Sequence, residues 1–276
     1  MNVLKTKAVN IDCLAGLKDI ANGSASTIIT SPPYNLNIKY GSYCDNKQYD
    51  EFLNWLGSVW KEIFRVLSNE GHFFLQVGGT ATSPLIPWHI LEKALEVGFV
   101  LQNEIVWVKN ITIDKTDEPG TLFKNTRPMS YGQFKPINSD RFLNHTHEFI
   151  FHLTKTGKVN INRLSVGTLL KWESNVKRFN HSEPIRCRGN CWFIPYETIQ
   201  NQKDKHNHPA IFPVALPEMC IKLSAIAPQS LVIDPFVGIG STLIACEKTN
   251  MIGLGFDVDN NYVSSANEWL SKIRAI

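Results

Sequence analysis

The chain of 276 residues is long for one domain and short for two, and its 43% hydrophobic and 19% charged residues are ordinary for a globular protein. The net charge of +3 is too small to identify a binding partner. No window reaches about 18 uncharged apolar residues, and charges interrupt the N-terminus too often for a signal peptide. A membrane partner is therefore excluded, and the sequence predicts a cytoplasmic protein.

An unusual segment follows the short β-branched run "STII" at residues 26–29. After Thr30 come Ser31, Pro32, Pro33 and Tyr34. Because proline cannot donate to a strand ladder and fixes its own φ, the strand must end here in a stiff, extended segment. Such a segment at the carboxyl end of a strand indicates a site, whereas the plainer interpretation is a strand terminator against which Tyr34 packs.

Strands and helices alternate along the next hundred residues. Apolar side chains recur at helical spacing in "YDEFLNWLGSVWKEIFRVLSNEG", and Asn69 and Gly71 mark a predicted stop. The further predictions, in chain order, are a strand "HFFLQV", a helix "PWHILEKALEVG" and the strands "NEIVWV" and "HEFIFHL". This alternation predicts an α/β fold with a doubly wound, mostly parallel sheet.

The middle of the chain is basic and has little periodicity. From Lys109 to Asn207 there are sixteen Lys and Arg but nine Asp and Glu, which leaves the rest of the chain net acidic. The pattern is lost at about 110–145 and again at about 154–207, where Pro, Gly, Asn and basic residues dominate. Stretches of this kind predict functional loops that face phosphates, and solvated loops are the alternative interpretation.

Six cysteines are spread through the chain, and only Cys187 and Cys191, in "CRGNC", lie close together. His181, His206 and His208 are near enough in sequence to suggest a zinc site, but the cysteine spacing is not that of the usual short zinc knuckles. The sequence therefore predicts reduced cysteines and no metal.

Regular structure returns in "LVIDPFVGIGSTLIACEKTNMIGLGFDVD", where a strand leads through Asp234 and a turn with Gly238 and Gly240 into a helix. A second strand then ends on Asp257. This is half of a mononucleotide-binding βαβ unit, with an acid placed for ribose hydroxyls. The third glycine of the dinucleotide fingerprint is replaced by Leu243, and an acid before the helix suits a cationic ligand such as S-adenosylmethionine. A merely tight strand-to-helix turn is the alternative.

Two of these motifs together carry a family resemblance. "TSPPY" and "DPFVGIGST", about 200 residues apart, resemble motifs IV and I of the amino-group DNA methyltransferases in their permuted β-class order. "NIDCLAGLKDI", "NHTHEFIFHLTKTG", "GNCWFIP" and "GLGFDVDNNYVSSA" resemble the flanking motifs, so the likeness spans nearly the whole chain. It implies a Rossmann-like, S-adenosylmethionine-dependent methyltransferase with a circularly permuted motif order. The implied parts are a catalytic part at 1–157, a basic target-recognition insertion at 158–207 and a cofactor-binding part at 208–276.

The resemblance also assigns roles to residues. The Ser31 side chain and the Pro32 carbonyl would accept hydrogens from an exocyclic amine, Pro33 would stiffen the segment, and Tyr34 would stack on a flipped base. Asp257 would hold the ribose hydroxyls, and Asp12 would meet the adenine amine. The residues expected around the methionine part are Asp234, Pro235, Phe236, Gly238, Gly240, Ser241 and Thr242. Independently of the resemblance, the basic middle of the chain supplies the candidates for contact with double-stranded DNA, which are Lys171, Lys177, Arg178, Arg186 and Arg188.

The resemblance favours N4 of cytosine, because Ser at the first position of this segment is typical of enzymes with that target. N6 of adenine is the alternative. Methylation at ring carbon five is set aside, since in enzymes of that kind the nucleophilic cysteine follows a proline and no cysteine does so here. An RNA or protein-amide methyltransferase and a non-catalytic nucleic-acid-binding module also stay open. So do a homodimer and a cognate restriction endonuclease as partners.

Overall fold

The computed structural model describes residues 5–38, 40–113, 128–132, 139–169, 185–195 and 211–275. The strands in these ranges are β1 (Lys7–Asn10), β2 (Ala25–Thr30), β3 (Leu67–Val77), β4 (Val100–Val108), β5 (Asn110–Ile113), β6 (Met129–Gly132), β7 (His147–Thr154), β8 (Thr168–Leu169), β9 (Ile185–Arg186), β10 (Cys191–Phe193), β11 (Leu231–Asp234) and β12 (Ile252–Asp257). The helices are α1 (Cys13–Lys18), α2 (Tyr49–Val66), α3 (Ile86–Val97), α4 (Ala215–Leu223), α5 (Ser241–Lys248) and α6 (Asn260–Arg274).

Within the described residues, eight strands form one sheet in the order β1-β12-β11-β2-β3-β7-β4-β10. All neighbouring pairs are parallel except those of β7, which runs antiparallel between β3 and β4. The mostly parallel sheet predicted from the sequence is therefore confirmed. The carboxyl ends of the parallel strands meet at one edge, and β7 begins at that edge.

Helices cover both faces of this sheet. Ile28 pairs with Phe73 and Ile29 with Phe74 across β2 and β3. Ile28 and Phe73 pack into an apolar cluster with α1, α2 and α3, whereas Ile29 and Phe74 pack into a second cluster with α4 and α5. Because successive residues of a strand point to opposite faces, this alternation is the mark of a doubly wound sheet.

Some element boundaries and one strand differ from the sequence predictions. The predicted stop at Asn69 and Gly71 lies inside β3, which starts at Leu67 directly after α2. β4 starts three residues earlier than predicted, at Val100. Part of the predicted target-recognition segment, β10, pairs in parallel with β4 as the outermost strand, and its Trp192 is buried. Three residues are too few to show a strand period, so β10 could not be predicted from its own residues.

No helix in the described part of the chain is both long and apolar enough to cross a membrane.

A pair of buried histidines joins β3 to β7. His72 Nδ1 lies 3.0 Å from His152 Nε2, and His152 Nδ1 lies 2.9 Å from the Asn103 side-chain amide. Both imidazoles are almost fully buried. Burial lowers the pKa of both, and the charge that His72 would carry lowers the pKa of His152 further.

These histidines should make the fold acid-sensitive. Their folded pKa values lie below the unfolded value, so the unfolded chain binds protons that the folded chain does not, and stability falls as the pH drops below about 6.5. We expect a loss of about 1.4 kcal/mol for each imidazole between pH 7.5 and 5.5, measured by urea unfolding. His152→Gln should remove about half of this dependence, and an unchanged dependence would assign it to other groups.

Candidate active site

The segment Ser31–Tyr34 leaves the carboxyl end of β2, which lies between β11 and β3 in the sheet. Ser31 Oγ lies 3.0 Å from the Tyr34 hydroxyl, and that hydroxyl donates to Gln76 Oε1 at 3.2 Å. Ser31, Pro32, Pro33 and Tyr34 all line one cavity of about 520 Å³. The size is that of a small-molecule site.

The glycine turn forms another wall of the same cavity. Asp257, at the end of β12, accepts a hydrogen bond from Gly238 N at 3.0 Å and one from Asp259 N at 2.8 Å. Burial raises the pKa of this carboxyl group. The predicted cofactor residues that line the cavity are Asp12, Pro235, Phe236, Gly238, Ser241 and Asp257. The fold therefore brings together two motifs that are about 200 residues apart in the chain.

Asp12 is the N-cap of α1. Its Oδ1 accepts hydrogen bonds from Leu14 N and Ala15 N, at 2.9 and 3.2 Å. These bonds satisfy two of the free amides at the start of the helix and fix the carboxylate at the cavity.

Asp234 does not line the cavity but joins two of the elements that surround it. Its side chain is buried, and its two oxygens accept hydrogen bonds from Thr30 Oγ1 and Thr242 Oγ1, both at 2.6 Å. Burial raises its pKa to about 6. A direct contact of Asp234 with the cofactor stays a prediction, and Asp234 is absent from the described lining of the cavity. Its hydrogen bonds tie the end of β2, next to Ser31, to the start of α5.

Gly240, in the same turn, is also absent from the described cavity lining. Its φ of +96° is in the left-handed region, and an added Cβ would lie 2.9 Å from Ala266 Cβ. The position therefore requires glycine for the turn and for close packing of α5 on α6.

A loop that the sequence did not reveal covers the cavity. The Asp45 carboxylate accepts hydrogen bonds from the backbone amides of Asn35, Leu36 and Ile38, at 2.9 to 3.1 Å. Further along, Ser42 Oγ donates to Asp259 Oδ2 at 3.1 Å. We call residues 35–47 the clasp loop, because it runs from the Ser31–Tyr34 segment to the acid-rich end of β12; its Lys39 is outside the described residues.

Aromatic rings from the clasp loop and the helices form an apolar wall of the cavity. Tyr43 stacks on Trp55 with ring centroids 5.8 Å apart, and Trp55 meets Phe236 edge to face at 5.6 Å. The Tyr43 hydroxyl is buried and has no hydrogen-bond partner among the described residues. A flat ring with a polar group near this hydroxyl would fit here.

Comparison with known proteins identifies the group to which this site belongs. A protein-family model described as DNA methylase, of the N6/N4 methyltransferase group, matches residues 25–268. The chain belongs to this DNA methylase family. The type II methyltransferase M.HpaI of Haemophilus parainfluenzae is 28% identical over 261 residues, covering 94% of this chain and 72% of the relative. The DNA adenine methyltransferase YhdJ of Escherichia coli K12 is 26% identical over 256 residues, covering 91% and 78%.

Solved structures share the fold of this DNA methylase. The PvuII DNA methyltransferase, described as cytosine-N4-specific, superposes with a TM-score of 0.68 at 20% identity, covering 95% of this chain and 86% of that one. The Thermus thermophilus protein TTHA0409, complexed with S-adenosyl-L-methionine, gives 0.62 at 24% identity, covering 97% and 93%. Among the relatives are adenine-specific and cytosine-specific names, so family membership establishes a DNA amino-methyltransferase without fixing its base.

The cations predicted to contact DNA fall into two groups. Lys171, Lys177 and Arg178 lie outside the described residues, as do His181, His206 and His208 of the zinc hypothesis. Arg186 belongs to β9, and Arg188 Nε donates to the Val166 carbonyl at 2.9 Å. Cys187 and Cys191 are exposed free thiols, and no cluster of metal-ligating side chains occurs in the ranges that the structure describes.

Proposed function

We propose that this DNA methylase transfers a methyl group from S-adenosylmethionine to the exocyclic N4 amine of cytosine in double-stranded DNA. The observation that carries the proposal is the single cavity in which the Ser31–Tyr34 segment faces the glycine turn and Asp257. A base amine and a methyl donor held there would be close to each other, and such positioning replaces much of the entropy cost of a bimolecular reaction.

The residues of the cavity fit S-adenosylmethionine. The Tyr43 hydroxyl, which no described residue contacts by a hydrogen bond, and the Trp55 ring suit the adenine part. Phe236, expected around the methionine part, meets Trp55 edge to face. Asp257 keeps lone pairs for ribose hydroxyls beside its two amide bonds. The carboxylates and aromatic faces also suit a sulfonium cation. When bound, this cofactor supplies an electrophilic methyl group.

Methyl transfer to the amine depends on the Ser31–Tyr34 segment. The exocyclic nitrogen is a weak nucleophile because its lone pair is delocalised into the ring. Ser31 Oγ and the Pro32 carbonyl would accept its two hydrogens and so hold the nitrogen in an orientation that localises the lone pair. Tyr34 would hold the flipped base by stacking. After accepting the methyl group, the nitrogen loses one proton to solvent water, and no enzyme nucleophile is needed.

Two features support cytosine N4 over adenine N6. Ser31 occupies the first position of the segment, where the family resemblance implies an acid or Asn in enzymes that act on adenine. The PvuII enzyme, which shares the fold, is described as cytosine-N4-specific. The type II names of the relatives further suggest a partner restriction endonuclease with the same recognition sequence. DNA methylated by this enzyme should resist such an endonuclease.

Nucleoside mass spectrometry of DNA from cells that express the protein tests the proposal. The expected product is N4-methylcytosine, and the control is the Ser31→Ala variant expressed at the same level. N6-methyladenine would replace the proposed base, whereas transfer of labelled methyl to RNA or protein but not to duplex DNA would overturn the substrate class.

Cofactor binding should depend on Asp257. Asp257→Ala should weaken the affinity for S-adenosylmethionine by about 1–3 kcal/mol, or roughly 5- to 150-fold, because hydrogen bonds to a charged acceptor are lost. Isothermal titration calorimetry measures this directly. Asp19→Ala makes the same charge change on an exposed residue and should leave the affinity unchanged. Equal affinities for the wild type and Asp257→Ala would contradict the assignment.

DNA binding should respond to salt through the basic middle of the chain. If this segment faces phosphates, the logarithm of the DNA affinity falls linearly with the logarithm of the salt concentration, and reversing the charges of Lys177 and Arg178 flattens the slope. Fluorescence anisotropy at several salt concentrations measures the slope. Unchanged affinity and methylation in this variant would reassign the segment as a solvated loop.

A further inference from the structure

Four side chains extend from Ser31 as one chain of hydrogen bonds along the cavity edge. They come from the ends of neighbouring strands: Tyr34 follows β2, Gln76 is near the end of β3, Glu148 is near the start of β7, and Lys109 follows β4. The Tyr34 hydroxyl contacts Gln76 Oε1, Gln76 Nε2 contacts Glu148 Oε2, and Lys109 Nζ pairs with Glu148 Oε1. Gln76 is buried, and the two charged side chains are mostly buried.

The Lys109–Glu148 ion pair fixes which group donates and which accepts in every one of these hydrogen bonds. A carboxylate can only accept hydrogen bonds, so the Gln76 amide must present its nitrogen to Glu148 and its oxygen to Tyr34. The reverse orientation would place two acceptors against each other. Because Gln76 Oε1 can only accept, the single hydroxyl hydrogen of Tyr34 is used in that bond.

The direction of the bond between Ser31 and Tyr34 then follows. Their oxygens lie 3.0 Å apart, and the Tyr34 hydrogen is already directed at Gln76. Ser31 must therefore donate its own hydroxyl hydrogen to Tyr34. The remaining lone pairs of Ser31 Oγ are left to accept hydrogen bonds in the cavity, which Ser31 lines.

We infer that Gln76, oriented by the Lys109–Glu148 ion pair, is a positioning residue that fixes Ser31 as a hydrogen-bond acceptor toward the target amine. The inference rests on the proposed function, since it concerns the same reacting amine. A freely rotating serine hydroxyl would point its hydrogen at an amino hydrogen part of the time, and that arrangement opposes capture of the base. The hydrogen bonds from Gln76 through Tyr34 to Ser31 prevent this orientation of the serine hydroxyl before the base binds.

Local features keep the ion pair in place. A Cβ on Gly78 would lie 2.7 Å from Glu148 Cδ, so glycine leaves the space through which the glutamate reaches Gln76. Lys109 Nζ also lies 5.8 Å from the centre of the Trp107 ring. That ring is fully buried, and its Nε1 donates to the Ile194 carbonyl at 2.8 Å. The lysine is thereby anchored to the sheet.

Single-turnover methyl transfer by the full-length enzyme, at saturating DNA and S-adenosylmethionine, tests the inference. Gln76→Met keeps the side-chain volume but removes both hydrogen bonds. We expect transfer to slow about tenfold, while the affinities for DNA and cofactor stay within about twofold. This is less than the roughly 100- to 1000-fold loss for a group that acts on the reacting atoms, because Gln76 acts only through Tyr34 and Ser31. Gln102→Met is the matched control, because it removes amide hydrogen bonds to Thr154 and Val159 away from the cavity. The rate in its folded fraction should be normal.

Double variants separate positioning from simple packing. Tyr34→Phe breaks the same chain but keeps the aromatic ring, so Tyr34→Phe with Gln76→Met should be no slower than the slower single variant. In the Ser31→Ala background, Gln76→Met should have no further effect. Multiplicative losses in either combination, or a normal rate for Gln76→Met, would overturn the inference. Absence of methyl transfer by the wild type would instead overturn the proposed function.

Discussion

Ser31→Ala should slow single-turnover methyl transfer by roughly two to three orders of magnitude, the scale of losing one preorganised polar group that acts on the reacting atoms. The alanine removes the acceptor aimed at the amine, and the Tyr34 hydroxyl keeps its bond to Gln76, so the shape of the cavity is retained. The melting temperature and the affinity for S-adenosylmethionine should therefore match those of the wild type.

The matched control for this prediction is Ser58→Ala on the exposed side of α2, where the hydroxyl bonds only to the Asn54 carbonyl among the described residues. It makes the same chemical change at a residue that does not line the cavity, and it should leave the rate unchanged. A Ser31→Ala enzyme that transfers methyl groups at the wild-type rate would show that the amine is activated by other groups.

The parts of the site that the sequence predicted are those carried by a single short segment. Pro32 and Pro33 end a strand by their covalent structure, and the glycine turn before α5 is a local pattern with a known ligand geometry. Asp257 could be placed for the same reason, because it ends the strand that follows. Each of these features is set by neighbours within a few residues.

The missed features depend on contacts between distant parts of the chain. The clasp loop is held by the bonds of Asp45 and by the bond from Ser42 to Asp259, which is 217 residues away in the chain. No local periodicity in the sequence therefore predicts this loop. A local signal does exist in Asn35 and Asn37, which adopt left-handed backbone that asparagine tolerates. Likewise, Gln76 and Glu148 meet because β7 runs antiparallel beside β3. The order of strands in a sheet cannot be predicted from the residues of either strand alone.

The surroundings of Asp234 could not be predicted from its motif. The sequence places an acid at the end of β11, as the cofactor motif requires, but the burial of its side chain depends on Thr30 from another strand. Only the folded arrangement shows that the carboxylate joins the two halves of the site and is not part of the cavity surface.

Tyr34→Ala should impair capture of the target base. Stacking of an aromatic side chain on a base is worth about 1–3 kcal/mol, so the concentration of DNA needed for half-maximal single-turnover rate should rise by roughly 5- to 150-fold. The variant also loses the hydroxyl that orients Ser31, so the rate at saturating DNA should fall as well. Cofactor affinity should remain nearly intact, because the Tyr34 hydroxyl bonds to Ser31 and Gln76, neither of which is among the residues expected to hold the cofactor.

Tyr34→Phe separates the stacking contribution of the Tyr34 ring from the contribution of its hydroxyl group. Phenylalanine keeps the stacking surface, so the half-maximal DNA concentration should stay near the wild-type value while the saturated rate falls, and only Tyr34→Ala should change both. The strand-terminator interpretation makes the opposite prediction. If Tyr34 only packs, Tyr34→Ala should lower the melting temperature by several degrees, and its remaining folded fraction should transfer methyl groups at the normal rate. The measurements on both variants are the melting temperature, the half-maximal DNA concentration and the saturated rate. Together they distinguish a ring that stacks on the target base from a ring that only packs at the end of β2.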